Sequence, residues 1–456
     1  MKRALAISLA VLAGWNGAAR GNTAAPGAPP YGLETRPPSR PFLSMPATSD
    51  EPIPRLLSQT GAFGSLRDLR PAEGLIPFEV KCSFWSDGAA KSRWISVPSA
   101  GGPEATTIGF RADGEWKFPP GTVFVKHFEV ATNDTRPELR KRLETRLLVC
   151  DRRGGVYGVT YKWRGDNSDA DLLVTNLAER FLVQTAGGIR TQTWYYPSRQ
   201  DCQTCHTERA GGALGVKTRQ LNGDCLYPNG RTDNQLRAWN HIGLFAPAIS
   251  EADISRYPRL ASQTNLTRSV EERARSYLDA NCANCHRPGG TVAFFDARYD
   301  TPLAQQGLIN GDVLFNQGID HARVIAPNDP WRSIALLRVE SPSGDKMPPL
   351  AHNVLDRNGA ALLREWIGSL EGKPVLPPPG ITPAGGRYKG DLEVRLSHAN
   401  PEVSIHYTLD GSVPGASDPL YTGPIKLTGP TTLRAKAFKA GYTRSVTAQE
   451  TFQVEE

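Results

Sequence analysis

Residues 122–130 read TVFVKHFEV, a run rich in β-branched and aromatic side chains whose second half alternates apolar with polar residues. A period of two is the mark of a β-strand with two different faces. Similar stretches surround it: KSRWISVP (91–98), TTIGF (106–110), RLETRLLVC (142–150) and VYGVTYKW (156–163). Turn-forming segments such as DGEWKFPPGT (113–122) separate them. The alternation predicts a β-rich domain over residues 52–199, with Trp85, Trp116 and Trp163 as core or cover residues. Glu144 and Arg146, two apart on one strand, read as a structural ion pair.

Immediately after this region the pattern changes. QDCQTCHTERAGG (200–212) places Cys202 and Cys205 around two residues, with His206 next. NCANCHRPGG (281–290) repeats the arrangement at Cys282, Cys285 and His286. CxxCH is the attachment signature of a c-type haem. Two thiols spaced by two residues match the two vinyl groups of the porphyrin, and the adjacent histidine reaches the iron. The expected cofactors are therefore two covalently bound haem c groups. A disulfide in each pair, or one zinc ion held by both pairs, is the alternative. Cys205 and Cys282 are much further apart than the pairs of a zinc ribbon, and zinc gives no reason for a histidine at the same place twice.

The segment SVEERARSYLDANCANCH (269–286) predicts a helix running into the second motif. Ser269 can cap it, Glu271 and Glu272 fall in its first turn, and Val270, Ala274, Tyr277 and Leu278 share a face. VLDRNGAALLREWIGSL (354–370) predicts a closing helix with Leu362, Leu363, Trp366, Ile367 and Leu370 inward. Between them, GDKMPPL (344–350) presents Met347 before two stiffening prolines. Helix, CxxCH, methionine and helix in this order resemble a small class I cytochrome c over 268–372. That resemblance implies a Pro288 carbonyl accepting from the His286 ring, and Met347 as the sixth iron ligand. The first haem's sixth ligand is open between His241, His127, another group and no protein ligand at all.

Further likenesses extend the reading. FWSDGAAKSRW (84–94), FPPGTVFVKHF (118–128), LETRLLV (143–149), YPSRQDCQTCH (196–206), LGVKTRQLN (214–222) and NQLRAWNHIGLF (234–245) together resemble a family of exported di-haem c-type cytochromes with a β-rich N-terminal region. The likeness runs from about Pro52 to Gly372 and implies electron transfer with a redox partner protein. Beyond the proline-rich 373–380, YTLDGSVPGASDPLYTGPIKL (407–427) resembles the β-sandwich module at the C-terminus of chitobiases. Tyr407, Asp410, Gly411, Pro414 and Tyr421 carry this likeness. It implies contact with a polysaccharide or a cell surface, or a spacer.

The start of the chain, MKRALAISLAVLAGWNGAARG (1–21), has the charge, apolar run and small residues of a secretory signal. Residues 22–51 read as a flexible leader, and the location expected is periplasmic or secreted. Of 7 cysteines, four lie in the motifs. Cys82, Cys150 and Cys225 leave room for one disulfide and one free thiol. The net charge of +7 carries no basic block, so a nucleic-acid partner is not expected. No stretch is long and apolar enough for a transmembrane span.

The sequence thus predicts a multidomain α+β fold. Its parts are the β-rich domain (52–199), a first haem segment (200–267), a mainly α-helical cytochrome c domain (268–372) and an immunoglobulin-like β-sandwich (381–456). The function expected is electron transfer between a periplasmic donor and acceptor, with no substrate chemistry of its own. The rivals are a di-haem peroxidase-like enzyme, the haem subunit of a periplasmic dehydrogenase, and a non-redox structural protein.

Overall fold

The computed structural model describes residues 31–455. The signal-peptide expectation therefore lies outside the described residues, as does the leader up to residue 30. The chain falls into two compact units. One holds the residues up to Gly290 together with Pro348–Asp356, and the other Thr291–Met347 together with the residues from Arg357 onward.

In the first unit, six antiparallel strands lie in chain order: β1 (Ile76–Pro77), β2 (Ala90–Ser96), β3 (Val123–Ala131), β4 (Arg140–Cys150), β5 (Val156–Trp163) and β6 (Ala170–Leu172). Because side chains alternate, directly opposed residues share a face. One face carries Trp94, Val125, Leu147 and Val159, packed on Leu43, Met45, Leu57 and Leu75 from the preceding segment. Tyr157 and Tyr161 on this face donate their hydroxyls to the carbonyls of Pro46 and Pro54. So the described part of the leader lies against the sheet, with Met45 only 5% exposed.

The opposite face is divided. At one end Ile95, Phe124 and Leu148 join a large core with Trp116, Trp239 and Phe245. At the other, Phe128 and Val130 pack on Trp194 and Tyr196. These last two belong to a hairpin of β7 (Leu177–Thr185) and β8 (Gly188–Tyr196). The longer helices that follow are α1 (Arg199–Cys205), α2 (Gln235–His241) and α3 (Val270–Asn281). Ser269 accepts from the Glu272 amide, and the Glu272 carboxylate accepts from the Ser269 amide, closing a capping box at α3.

The second unit begins in turns and short bridges. It then has α4 (Ile334–Glu340) and α5 (Arg357–Ser369), with Leu362, Leu363, Trp366 and Ile367 buried along one side of α5. Seven strands follow: β9 (Gly380–Thr382), β10 (Gly386–Lys389), β11 (Leu392–Ser397), β12 (Ser404–Thr408), β13 (Ile425–Leu427), β14 (Thr431–Phe438) and β15 (Ala448–Glu455). They form a sheet ordered β9-β11-β13 and a sheet ordered β10-β15-β14-β12. Val394, Ile405, Ile425, Leu433 and Phe452 from both sheets share one core. Within this unit Lys436 Nζ donates to Asp320 Oδ2 at 3.0 Å, anchoring the preceding loops to the strands.

One expectation is overturned here. The fold class was read as α+β with a mainly α-helical cytochrome c domain over 268–372. The chain is instead mostly β, with 29% strand against 16% helix, and among the described residues no mainly helical domain is present. Residues 268–372 hold only α3, α4 and α5, of 12, 7 and 13 residues. The connecting sequence carries Pro288, Pro302, Pro327, Pro330, Pro342, Pro348 and Pro349. Proline removes a helical donor and clashes with the preceding turn, so longer helices cannot form there.

Candidate functional site

Both CxxCH motifs belong to the first unit. The first sits on α1. Ser198 caps this helix by accepting from the Asp201 amide, and Asp201 returns the contact to the Ser198 amide. One helical turn brings Cys202 and Cys205 to the same side. The side of α1 that carries Cys202 rests on β5 at Gly158. A Cβ built on Gly158 would lie 2.8 Å from both Cβ and Sγ of Cys202. Gly158→Ala is therefore expected to push α1 off the sheet at a cost of about 1–3 kcal/mol. The expected readout is loss of covalent haem at the first motif and retention at the second, scored by haemochrome absorbance.

His206 follows α1 directly. Its Nδ1–H donates to the Gly212 carbonyl at 2.7 Å, which fixes the ring and leaves Nε2 as the basic nitrogen. Burial lowers its pKa to about 4, so the ring is neutral, as a metal ligand must be. Gly212 has φ +71°, and the turn Thr207–Gly212 closes on itself through the Gly212 amide to the Thr207 carbonyl at 2.9 Å.

The second motif follows α3, and the fold brings it to the first. Cys205 and Cys285 are close enough for each thiol to act on the other. The Cys205 thiol is pushed up by this contact and by burial, and Cys285 is held below the usual thiol range by accepting from Cys205. Burial also raises Cys202, and takes Cys282 to about 12. All four cysteines and both histidines keep part of their surface accessible.

A buried ionic cluster holds the motifs in this arrangement. Asp279 on α3 forms an ion pair with Lys217 Nζ at 3.0 Å and accepts from Arg219 Nε at 3.1 Å. Arg287, next to His286, donates to Glu115 Oε1 at 2.8 Å and to the Arg209 carbonyl, in the loop after His206, at 2.9 Å. Lys217 Nζ also lies 3.5 Å from Glu115. Lys217, Arg219, Asp279 and Arg287 are all buried. Lys217 and Arg219 come from LGVKTRQLN, which the sequence reading marked only as a likeness. Their role needed a carboxylate from far along the chain.

The two histidines considered for the first iron are engaged elsewhere. His127 is 1% exposed on the face of β3 opposite to the one that carries α1. Its Nδ1 bonds Thr145 Oγ1 at 2.8 Å, its Nε2 lies 3.6 Å from Glu129, and its ring stands edge-on to Trp163. Burial lowers its pKa, with Glu129 opposing. His241, at the end of α2, is exposed and stacks on Tyr31 with centroids 3.5 Å apart. Met347 belongs to the second unit, half-buried, with its amide donating to the Arg338 carbonyl at 2.9 Å.

The remaining cysteines, Cys82, Cys150 and Cys225, are buried free thiols. Burial raises all three, Cys150 and Cys225 to about 12. Glu144 and Arg146 form the ion pair the sequence suggested, with Glu144 fully buried. Among the described residues, no three His, Cys, Asp or Glu side chains gather as a metal-ion donor set. No described helix is long and apolar enough to cross a membrane.

Comparison with known proteins reaches only the second unit. Residues 383–449 match the chitobiase/beta-hexosaminidase C-terminal domain. That segment runs from β10 through β14 to the start of β15, and in it Asp410 Oδ1 accepts from the Ser412 amide at 2.9 Å beside Gly411 at φ +79°. No curated protein matches the chain, and no solved structure matches it.

Proposed function

We propose that this chain is an exported di-haem c-type cytochrome that passes electrons between a donor and an acceptor protein outside the cytoplasm. The observation that carries the reading is the convergence of two CxxCH motifs, with Cys205 beside Cys285. The donor set fits the group: two thiols on one side of α1, and a neutral imidazole whose Nδ1–H is already committed to Gly212. Cys202, Cys205, Cys282 and Cys285 would tether two haems, and His206 and His286 would be the proximal ligands. Bound haem supplies one-electron redox chemistry. The chain orients the imidazole at the first motif through Gly212, and holds both attachment points in one rigid body through Asp279 and Arg287.

The placement of His127 and His241 favours a second reading for the first iron. If neither reaches it, the sixth position is open to a small molecule, as in a di-haem peroxidase-like enzyme. The segment 383–449 would add contact with a polysaccharide or cell surface, in keeping with the domain it is similar to.

The test is the spectrum of protein matured with haem-attachment machinery, with a pyridine haemochrome count. Two covalent haems with both irons low-spin support the carrier. Two haems with one high-spin iron support the open site, which peroxide turnover would then check. A count of zero removes the proposal and returns the cysteines to zinc or disulfide chemistry.

A further inference from the structure

The charged residues on the α1 side of the sheet are arranged in a way that needs explanation. Arg93 of β2, Lys126 of β3 and Arg146 of β4 are directly opposed in register, Arg93 to Lys126 and Lys126 to Arg146. Lys91 stands two residues from Arg93 on the same face, opposite Phe128. Adjacent strands are about 4.8 Å apart, and like charges directly opposite each other destabilise a sheet. Three cations in one row repel along the whole row.

The local carboxylates do not resolve this. Glu144, diagonal to Lys126, is the acid of the row itself and is held by Arg146. Glu79 acts on Arg93, and Asp87 and Asp356 act on Lys91. Lys91 Nζ is satisfied by the Phe84 carbonyl at 2.6 Å, and Arg93 reaches the Ser83 hydroxyl at 3.3 Å. Lys126 and Arg146 lie over the Phe128 ring at 5.0 and 4.5 Å. Burial lowers Lys126 well below the usual lysine range and lowers Lys91 to about 7, which fits cations crowded in an enclosed place. Each of the four nevertheless keeps some accessible surface. The row stands near the first motif: Lys126 and Arg146 are the charges that act on His206, and Arg146 also acts on Cys202 and Cys205.

We propose that Lys91, Arg93, Lys126 and Arg146 form a carboxylate-binding row, and that the carboxylates it holds are the propionates of the haem tethered at Cys202 and Cys205. This rests on the di-haem reading above. A propionate pair set across the row removes the mutual repulsion and neutralises buried charge on both sides. The row then positions the porphyrin and raises its reduction potential, since cations near an iron favour the less positive, reduced form.

The test uses the matured full chain and the variants Lys126→Met, Arg93→Met and Lys126→Arg. Pyridine haemochrome counts come first, then spectroelectrochemical titration. The expected result is two haems in every protein, with one potential shifted downward in both methionine variants, the other unmoved, and the Lys126→Arg potential at the wild-type value. Unmoved potentials with two haems present overturn the proposal alone. If citrate then perturbs the wild-type spectrum but not that of Lys126→Met, the row serves a free carboxylate instead of the propionates. Haem loss from all three variants alike, Lys126→Arg included, makes the row structural and also overturns it. A wild-type count of zero sinks the di-haem reading and this proposal together, and is seen before any titration.

Discussion

Asp279→Asn is expected to lower the unfolding free energy by about 3–5 kcal/mol, the range for breaking a buried ion pair from one side. The carboxylate is 1% exposed and answers two cations, Lys217 and Arg219, that are themselves 2% and 1% exposed. Asparagine has nearly the same shape, so no cavity forms; the loss comes from leaving two charges buried with less than their counter-charge. Chemical denaturation of the wild type and the variant measures it directly. A change under about 1 kcal/mol, the usual worth of an exposed pair, would show that the cluster is solvated and contributes little. Because α3 leads into the second motif, the variant should also show heterogeneous haem attachment at Cys282 and Cys285. Combining Asp279→Leu with Lys217→Met and Arg219→Met should recover much of the loss, as apolar replacement of a whole buried cluster often does.

Cys202→Ala with Cys205→Ala is expected to halve the haem count while leaving the chain folded. The alanines remove thiols from α1 without touching its Ser198 cap or the Asp279 cluster. The consequence for the remaining haem is more informative than the count. On the di-haem proposal, the nearness of Cys205 to Cys285 brings the two attachment points together. Removing the first charged iron should shift the potential of the second. Two wild-type potentials that are independent, with the second unchanged in the variant, would contradict this closeness. Mass spectrometry of the matured proteins gives the count, and redox titration gives the shift.

How much of this was visible in the sequence depends on the range over which each feature is determined. TVFVKHFEV, RLETRLLVC and VYGVTYKW are strands at Val123–Ala131, Arg140–Cys150 and Val156–Trp163, because alternation is a local property. TTIGF gives only the two-residue strand Ile108–Gly109, since Gly109 and the turns on either side leave little to pair. The helix α3 was equally plain, because Ser269 and Glu272 encode its cap three residues apart. The misreading of 268–372 as a helical domain has a different origin. A short helix at each end of a segment resembles a small helical fold, but the intervening prolines and turns leave most of it without helix. The cation row was invisible. Arg93, Lys126 and Arg146 each look like an ordinary solvated strand residue, and only the pairing register across three strands places them side by side.

The sheet order has a consequence for the timing of assembly. Strands β1 to β6 pair each with its successor, so their contacts are between neighbours in the chain, and such topologies form early. Asp279 meets Lys217 and Arg219 only after about sixty more residues have been ordered. Synthesis and folding from the N-terminus would thus present the sheet and α1 as a finished platform while α3 is still unattached. The first pair of thiols is then available for modification before the second, and the Asp279 cluster acts as the latch that closes last.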